Sequence, residues 1–177
     1  MIFTTTPLSG AYVIELEPIA DERGFFARSF CQNEFEEHGL TANFVQFNTS
    51  FNHKKATLRG MHYQASPDEE TKLIRCIHGS ILDVIVDMRT HSPTYRQWFG
   101  VELTAENRKL LYCPEGCAHG YLTLEDNTEL LYQVSRYYAP KSERILRFDD
   151  PAIGIEWPMQ PLVLSAKDAA APHMVLA

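Results

Sequence analysis

Along the chain, apolar and polar positions alternate with a period of two in short stretches broken by turn residues, a pattern that predicts an all-β sandwich or barrel rather than alternating strands and helices. In Ile81-Leu82-Asp83-Val84-Ile85-Val86-Asp87-Met88 one face, Leu82, Val84, Val86 and Met88, is wholly apolar, and the other mixes Ile81 and Ile85 with Asp83 and Asp87. The Gly79-Ser80 pair marks the turn before it. In Phe44-Val45-Gln46-Phe47-Asn48-Thr49-Ser50, Gln46, Asn48 and Ser50 form a polar row that suits a ligand cavity or a wet face equally. Two short helices interrupt the pattern. Asn33 is placed to cap the first, with Glu36 as its capping-box partner and Gly39 as its left-handed stop. Ser165 is placed to cap the second, over 165–171, which Pro172 ends. Pro114-Glu115-Gly116 and Asp149-Asp150-Pro151 read as turns, and no internal repeat, low-complexity tract or linker divides the chain.

Length and composition narrow this to one ordinary globular domain over 1–177. The 177 residues are 45% hydrophobic and 22% charged, enough for a core without staples. Sixteen basic residues against 23 acidic ones give a net charge of −7, which leaves no global positive field for a nucleic-acid backbone. The polar start, soon reaching Glu15 and Glu17, lacks the apolar core of a signal peptide, and no uncharged apolar run reaches membrane-spanning length. Cys31, Cys76, Cys113 and Cys117 show no C-x-x-C spacing, so reduced thiols in a cytoplasmic protein are expected.

Two clusters carry chemistry. In Leu58-Arg59-Gly60-Met61-His62-Tyr63-Gln64, alternation puts His62 on the side of Gly60 and Gln64 with Arg59 nearby: a base suited to proton abstraction near neutral pH beside a fork that grips phosphate. The other reading of His62 is a hydrogen-bonded or surface histidine. The second cluster, Pro114-Glu115-Gly116-Cys117-Ala118-His119-Gly120, resembles the P-x-G-x-x-H turn of the cupin superfamily of small β-barrels, whose histidine points into the barrel. A cupin metal site needs an H-x-H pair on the first motif. Here that motif is His62-Tyr63-Gln64, so no metal is expected.

Taken in order, the landmarks resemble the dTDP-4-dehydrorhamnose 3,5-epimerase family over nearly the whole chain. They are Asp21-Glu22-Arg23-Gly24-Phe25-Phe26, Gln46-Phe47-Asn48-Thr49-Ser50, Arg59-Gly60-Met61-His62-Tyr63-Gln64, Asp83 to Arg89 with Ser92-Pro93-Thr94, Pro114 to Gly120, Tyr132, Tyr138, Asp149 to Pro158, and Ser165-Ala166-Lys167-Asp168. The resemblance implies a cupin-like jelly roll with a few short helices and inversion at C3 and C5 of a nucleotide-linked 4-keto-6-deoxyhexose, with no cofactor. The ketone acidifies the neighbouring C–H bonds, so a base on one face forms the enolate and an acid on the other returns the proton. By the same resemblance His62 is the base, Asp168 its carboxylate partner, Tyr132 the proton donor and Lys72 the cation at the developing O4 oxyanion. Arg23, Phe26, Gln46, Asn48, Arg59 and His119 correspond to diphosphate and nucleotide contacts, with Tyr138 against the base and Glu143 and Lys167 as further contacts. The Arg23 segment belongs, in the family, to an exchanged N-terminal region that completes the neighbouring subunit's site, which implies a homodimer. By pattern alone Tyr132 is a core tyrosine, Lys72 a solvated strand residue and Asp168 a helix-cap residue.

One position departs from the family. Where D-x-R-G-F-F-x-E places an acid against the nucleotide base, this chain has Ala27-Arg28. A carboxylate accepts the N3–H of thymine, whereas Arg28 only donates and suits the acceptor edge of cytosine, so CDP stands beside dTDP as the nucleotide. An outward-turned Arg28, or one meeting a phosphate, is the plainer reading. Rival functions are a C3-only epimerase, a non-catalytic cupin that binds a sugar nucleotide, and a metal-dependent cupin oxygenase.

Overall fold

The computed structural model describes residues 1–174. Four short strands open the chain: β1 (Ile2–Thr5), β2 (Tyr12–Glu15), β3 (Ile19–Asp21) and β4 (Gly24–Phe26), followed by helix α1 (Gln32–Glu37). Eight longer or central strands follow: β5 (Gln46–Asn52), β6 (Leu58–Gln64), β7 (Lys72–His78), β8 (Ser80–Asp87), β9 (Trp98–Thr104), β10 (Leu110–Cys113), β11 (Cys117–Thr123) and β12 (Thr128–Val134). The chain closes with β13 (Glu143–Ile145) and helix α2 (Ala166–Ala169). The strands form a six-stranded sheet, β1-β2-β10-β7-β12-β5, and a five-stranded sheet, β13-β6-β11-β8-β9, with β3 and β4 as a separate hairpin. All these ladders are antiparallel, and the cupin-like jelly roll holds as two facing sheets.

The alternation explains which face is inside. Ile81 and Ile85 of β8 lie between the sheets with Ile74, Cys76, Leu103, Leu111 and Leu130. The opposite face of β8, Val84 and Val86, packs outward under Leu146 and Ile153 of the C-terminal segment. On the outer side of the six-stranded sheet, Phe35 of α1 closes over Ile14, Leu73, Leu110 and Tyr112. Both sheets are thus covered on two faces for part of their area, which is why β8 reads as a nearly continuous apolar run.

The second helix starts as expected: the Ser165 hydroxyl accepts from the Asp168 N–H at 3.0 Å, although the helix itself is only Ala166–Ala169. The first does not. Cys31, not Asn33, holds the N-cap position, and no side chain caps it. Asn33 already lies inside the first turn, and Glu36 accepts from the Gln32 amide at 2.7 Å instead of reaching back to a cap. The apolar contact of Phe35 sets this helix, and Gly39, at φ 69°, ends it in the left-handed region.

All four cysteines are free thiols. Burial pushes the Cys76 thiol up to about 11, so it stays protonated and inert at neutral pH. Among the described residues no helix is long and apolar enough to cross a membrane.

Candidate active site

The two sheets part at one end around a cavity of about 650 Å³, a volume in the range of small-molecule sites. Each sheet supplies its own register of polar side chains. On the six-stranded sheet, Gln46, Val134 and Lys72 are paired neighbours across β5, β12 and β7, and Asn48 and Tyr132 form the next rung. The row of Gln46, Asn48 and Ser50 therefore lines the cavity, while the alternate residues Phe47 and Phe51 face outward. On the five-stranded sheet His62 of β6 stands directly opposite His119 of β11.

Close backbone approach permits that pairing. A Cβ on Gly60 would stand 2.5 Å from the Gly120 Cα, and one on Gly120 would stand 2.6 Å from the Met61 sulfur. The register shifts between His119 and Tyr121 at the same place, so these two glycines let β6 and β11 kink together and aim both histidines inward.

His62 Nε2 lies 2.6 Å from Asp168 Oδ1. The imidazole is partly exposed to the cavity at 36% and the carboxylate is buried at 3%. Burial pushes the Asp168 carboxyl up, but the His62 contact, the Ser165 hydroxyl and the Gly60 N–H outweigh it and hold it below the usual carboxylate range. With Nε2 engaged, Nδ1 of His62 has no protein partner among the described residues. The backbone N–H of Asp168 receives the Ser165 cap and its carboxylate is free for His62, so its helical position and its pairing coexist.

Lys72 Nζ, nearly buried, pairs with Glu70 at 2.9 Å and donates to the His62 carbonyl at 3.2 Å, reaching from one sheet to the other. Tyr132, on the sheet facing His62, lines the cavity and packs its ring against the inter-sheet core, and its hydroxyl has no protein partner among the described residues. Arg59 Nε donates to Asn52 Oδ1 at 2.8 Å. At the mouth, Lys167 pairs with Glu143 at 2.5 Å, and Tyr138 donates to the same carboxylate at 3.2 Å. The Lys167 ammonium holds the Glu143 carboxyl below its ordinary range.

The cavity thus gathers Gln46, Asn48, Arg59, His62, Lys72 and His119 with Tyr132, Tyr138, Glu143, Lys167 and Asp168. Three predicted residues lie outside it. Arg23 sits at the tip of the β3–β4 hairpin, 85% exposed and paired with Asp21, and Phe26 is exposed on β4. Arg28 reaches Glu34 of α1 at 3.0 Å. Two carboxylates of the site escaped the sequence reading. Asp83, fully buried, meets His119 Nε2 at 2.6 Å, and its second oxygen has no partner among the described residues. Its signal was there, as an acid on the face of β8 that also carries Ile81 and Ile85. Glu70 sits just before a strand, where acids are ordinarily solvated, and nothing in the pattern marked it. Among the described residues no group of three or more His, Cys, Asp or Glu side chains stands together as a metal site.

This cupin-like jelly roll thus presents a histidine on one sheet, paired with a carboxylate of α2, opposite a tyrosine and a lysine on the other sheet, in a pocket rimmed by arginine and amide donors. The chain belongs to the dTDP-4-dehydrorhamnose 3,5-epimerase family, a family of isomerases whose model matches residues 5–175. It is 48% identical over 174 residues to dTDP-4-dehydrorhamnose 3,5-epimerase of Salmonella typhimurium, covering 97% of this chain and 94% of the relative. The crystal structure of dTDP-4-dehydrorhamnose 3,5-epimerase from Elizabethkingia anophelis superposes with a TM-score of 0.95 at 37% identity, covering 98% of this chain and 96% of that one. That of dTDP-6-deoxy-D-glucose-3,5-epimerase from Legionella pneumophila, in complex with dTDP-4-keto-L-rhamnose, superposes at 0.89 with 41% identity, covering 96% and 90%.

Proposed function

We propose that this protein is a 3,5-epimerase of dTDP-4-dehydro-6-deoxyglucose, producing dTDP-4-dehydrorhamnose with its own side chains as acid and base. One observation carries the reading: His62 on one sheet, backed by Asp168 of α2, faces Tyr132 and Lys72 on the other sheet across a single cavity. Inversion requires a base and an acid on opposite faces of the sugar ring, and facing sheets supply that separation.

In this reading His62 Nδ1 takes the proton from the carbon beside the ketone. The C–H electron pair moves into the ring and negative charge gathers on O4. Asp168 orients the imidazole and stabilises the imidazolium. Lys72 donates to O4, a contact worth several kcal/mol where water is scarce. Tyr132 returns a proton to the opposite face of the carbon, and solvent exchange resets His62 and Tyr132 for the second centre. Arg59, His119, Gln46 and Asn48 take the diphosphate and nucleoside, with Tyr138, Glu143 and Lys167 at the mouth.

We propose further that the single domain functions as a homodimer in which the β3–β4 hairpin of one subunit brings Arg23 and Phe26 to the partner's cavity. Three features support it. Arg23 lies outside its own chain's cavity, Phe47 is 66% exposed on edge strand β5, and Gln133 Oε1 and Arg75 Nε, on the same outward face, are buried without a partner among the described residues. Arg28, carried on the same segment, is the residue by which a CDP-sugar would be preferred.

The test is an NMR time course in D2O with the dTDP- and CDP-linked 4-keto-6-deoxyglucose. Deuterium entry at both C3 and C5 of the dTDP sugar is the expected result. Entry at C3 alone establishes the narrower enzyme, faster exchange of the CDP sugar reassigns the nucleotide, and no exchange with either overturns the reading.

A further inference from the structure

We propose that Glu70 is a positioning residue of the reaction, acting through Lys72 to fix the ammonium that meets the developing oxyanion; the inference rests on the functional reading above. A lysine ammonium is a point charge on a flexible four-carbon stem, with three donors and no preferred direction of its own. In this cavity two of those donors are engaged, one by Glu70 Oε1 at 2.9 Å and one by the His62 carbonyl at 3.2 Å. The two acceptors come from different sheets, since Glu70 leads into β7 and His62 lies on β6. They pin Nζ between the sheets and leave its third N–H for the cavity. Glu70 and Lys72 are only 12% and 9% exposed, so this pair is held in a site where solvent does little to loosen it.

The electrostatics of the cavity point the same way. Lys72 has Glu70, Lys167 has Glu143, His62 has Asp168 and His119 has Asp83. Arg59 alone among these basic side chains of the cavity has only neutral partners among the described residues, the Asn52 amide and the Phe51 carbonyl. A dianionic diphosphate is drawn to the unmatched charge at Arg59 and repelled by the carboxylate beside Lys72. Glu70 thereby reserves Lys72 for an oxygen that is neutral on binding and becomes negative only as the proton leaves, which is where a prearranged donor accelerates the step.

The test is a double-mutant cycle over wild type, Glu70→Ala, Lys72→Met and the double variant, with Glu70→Gln as the conservative rescue. Each is measured for turnover of dTDP-4-dehydro-6-deoxyglucose and, by calorimetry, for binding of dTDP, which lacks the reacting sugar and reports whether the fold is intact. Glu70→Ala is expected to lower kcat about tenfold, the cost of a misplaced catalytic group, with KM and the dTDP Kd within about twofold of wild type. Glu70→Gln, whose amide oxygen still accepts from Lys72, is expected to recover most of kcat. In the Lys72→Met background Glu70→Ala is expected to change kcat less than twofold. An equal loss in both backgrounds, or a loss confined to KM and dTDP binding, overturns the positioning role while leaving the functional reading intact. Wild type that binds dTDP but turns over no 4-keto sugar overturns the functional reading and this inference with it.

Discussion

At the scale of single residues, the proposed division of labour between His62 and Tyr132 yields the sharpest test. The imidazole is the group backed by a carboxylate, and the phenol stands on the facing sheet without a protein partner among the described residues. His62→Ala is therefore expected to abolish deuterium exchange at both carbons. Tyr132→Phe is expected to retain exchange, with the proton returned to the face it left, while net inversion falls at least about tenfold; NMR integration of exchange against product distinguishes them, and equal loss of both in Tyr132→Phe contradicts the assignment. How far such residues were legible depended on whether chemistry or burial made them unusual. His62 stood out because a base beside Arg59 is a recognisable pair, whereas Tyr132 and Lys72 look like an ordinary core tyrosine and strand lysine until the register sets them on adjacent rungs facing His62. Asp83 carried a signal, an acid on the inward face of β8 beside Ile81 and Ile85, but Glu70 carried none, and the partner of each, His119 and Lys72, is not encoded in local pattern because an acid acquires a function only from its spatial neighbour.

Among elements, period-two alternation gave the strands and even the inward row of Gln46, Asn48 and Ser50, but not whether that row faces a cavity or water; the opposing sheet decides it. The expected cap of the first helix, Asn33, lies two residues past the actual one, Cys31, because Asn33 satisfies a capping rule that the packing of Phe35 overrides. The backbone contact of β6 with β11 was hidden as well, since Gly60 and Gly120 lie sixty positions apart and only pairing brings them together. Gly120→Ala forces a methyl to within 2.8 Å of the Arg59 carbonyl as well as against the Met61 sulfur. It is expected to cost about 3 kcal/mol by urea unfolding and to lower kcat out of proportion, because His62 and His119 flank the contact.

For the molecule as a whole, buried carboxylates set the response to acid. Burial raises Asp87, but the Arg89 guanidinium and the Ser92 and Thr94 hydroxyls more than offset it and hold the carboxyl far below its usual range. Asp168 and Glu143 are depressed as well. A carboxyl whose folded value lies below its unfolded one contributes stability that is complete above the unfolded value, near 3.8 for Asp and 4.5 for Glu, and is lost as pH falls through the folded one. The melting temperature is thus expected to hold between about pH 5 and 7 and to drop steeply below about pH 4, with a shallower drop in Asp87→Asn; calorimetry across that range checks it. The proposed exchange of the β3–β4 hairpin carries its own prediction. His62→Ala and Arg23→Ala proteins, each nearly inactive alone, are expected to regain about a quarter of wild-type activity when mixed and allowed to exchange subunits, because half the dimers are hybrids with one intact site; no recovery, with subunit exchange verified by mass, places Arg23 in its own chain's site. In the proposed mechanism the proton acceptor His62 and the proton donor Tyr132 hang on separate hydrogen-bonded ladders, so the gap between them is set by what fills the space between the sheets, Leu130, Ile74 and Ile85. The interior of this protein is a spacer as well as a source of stability, and in that mechanism the reach of the transferred proton is gauged by the thickness of its core.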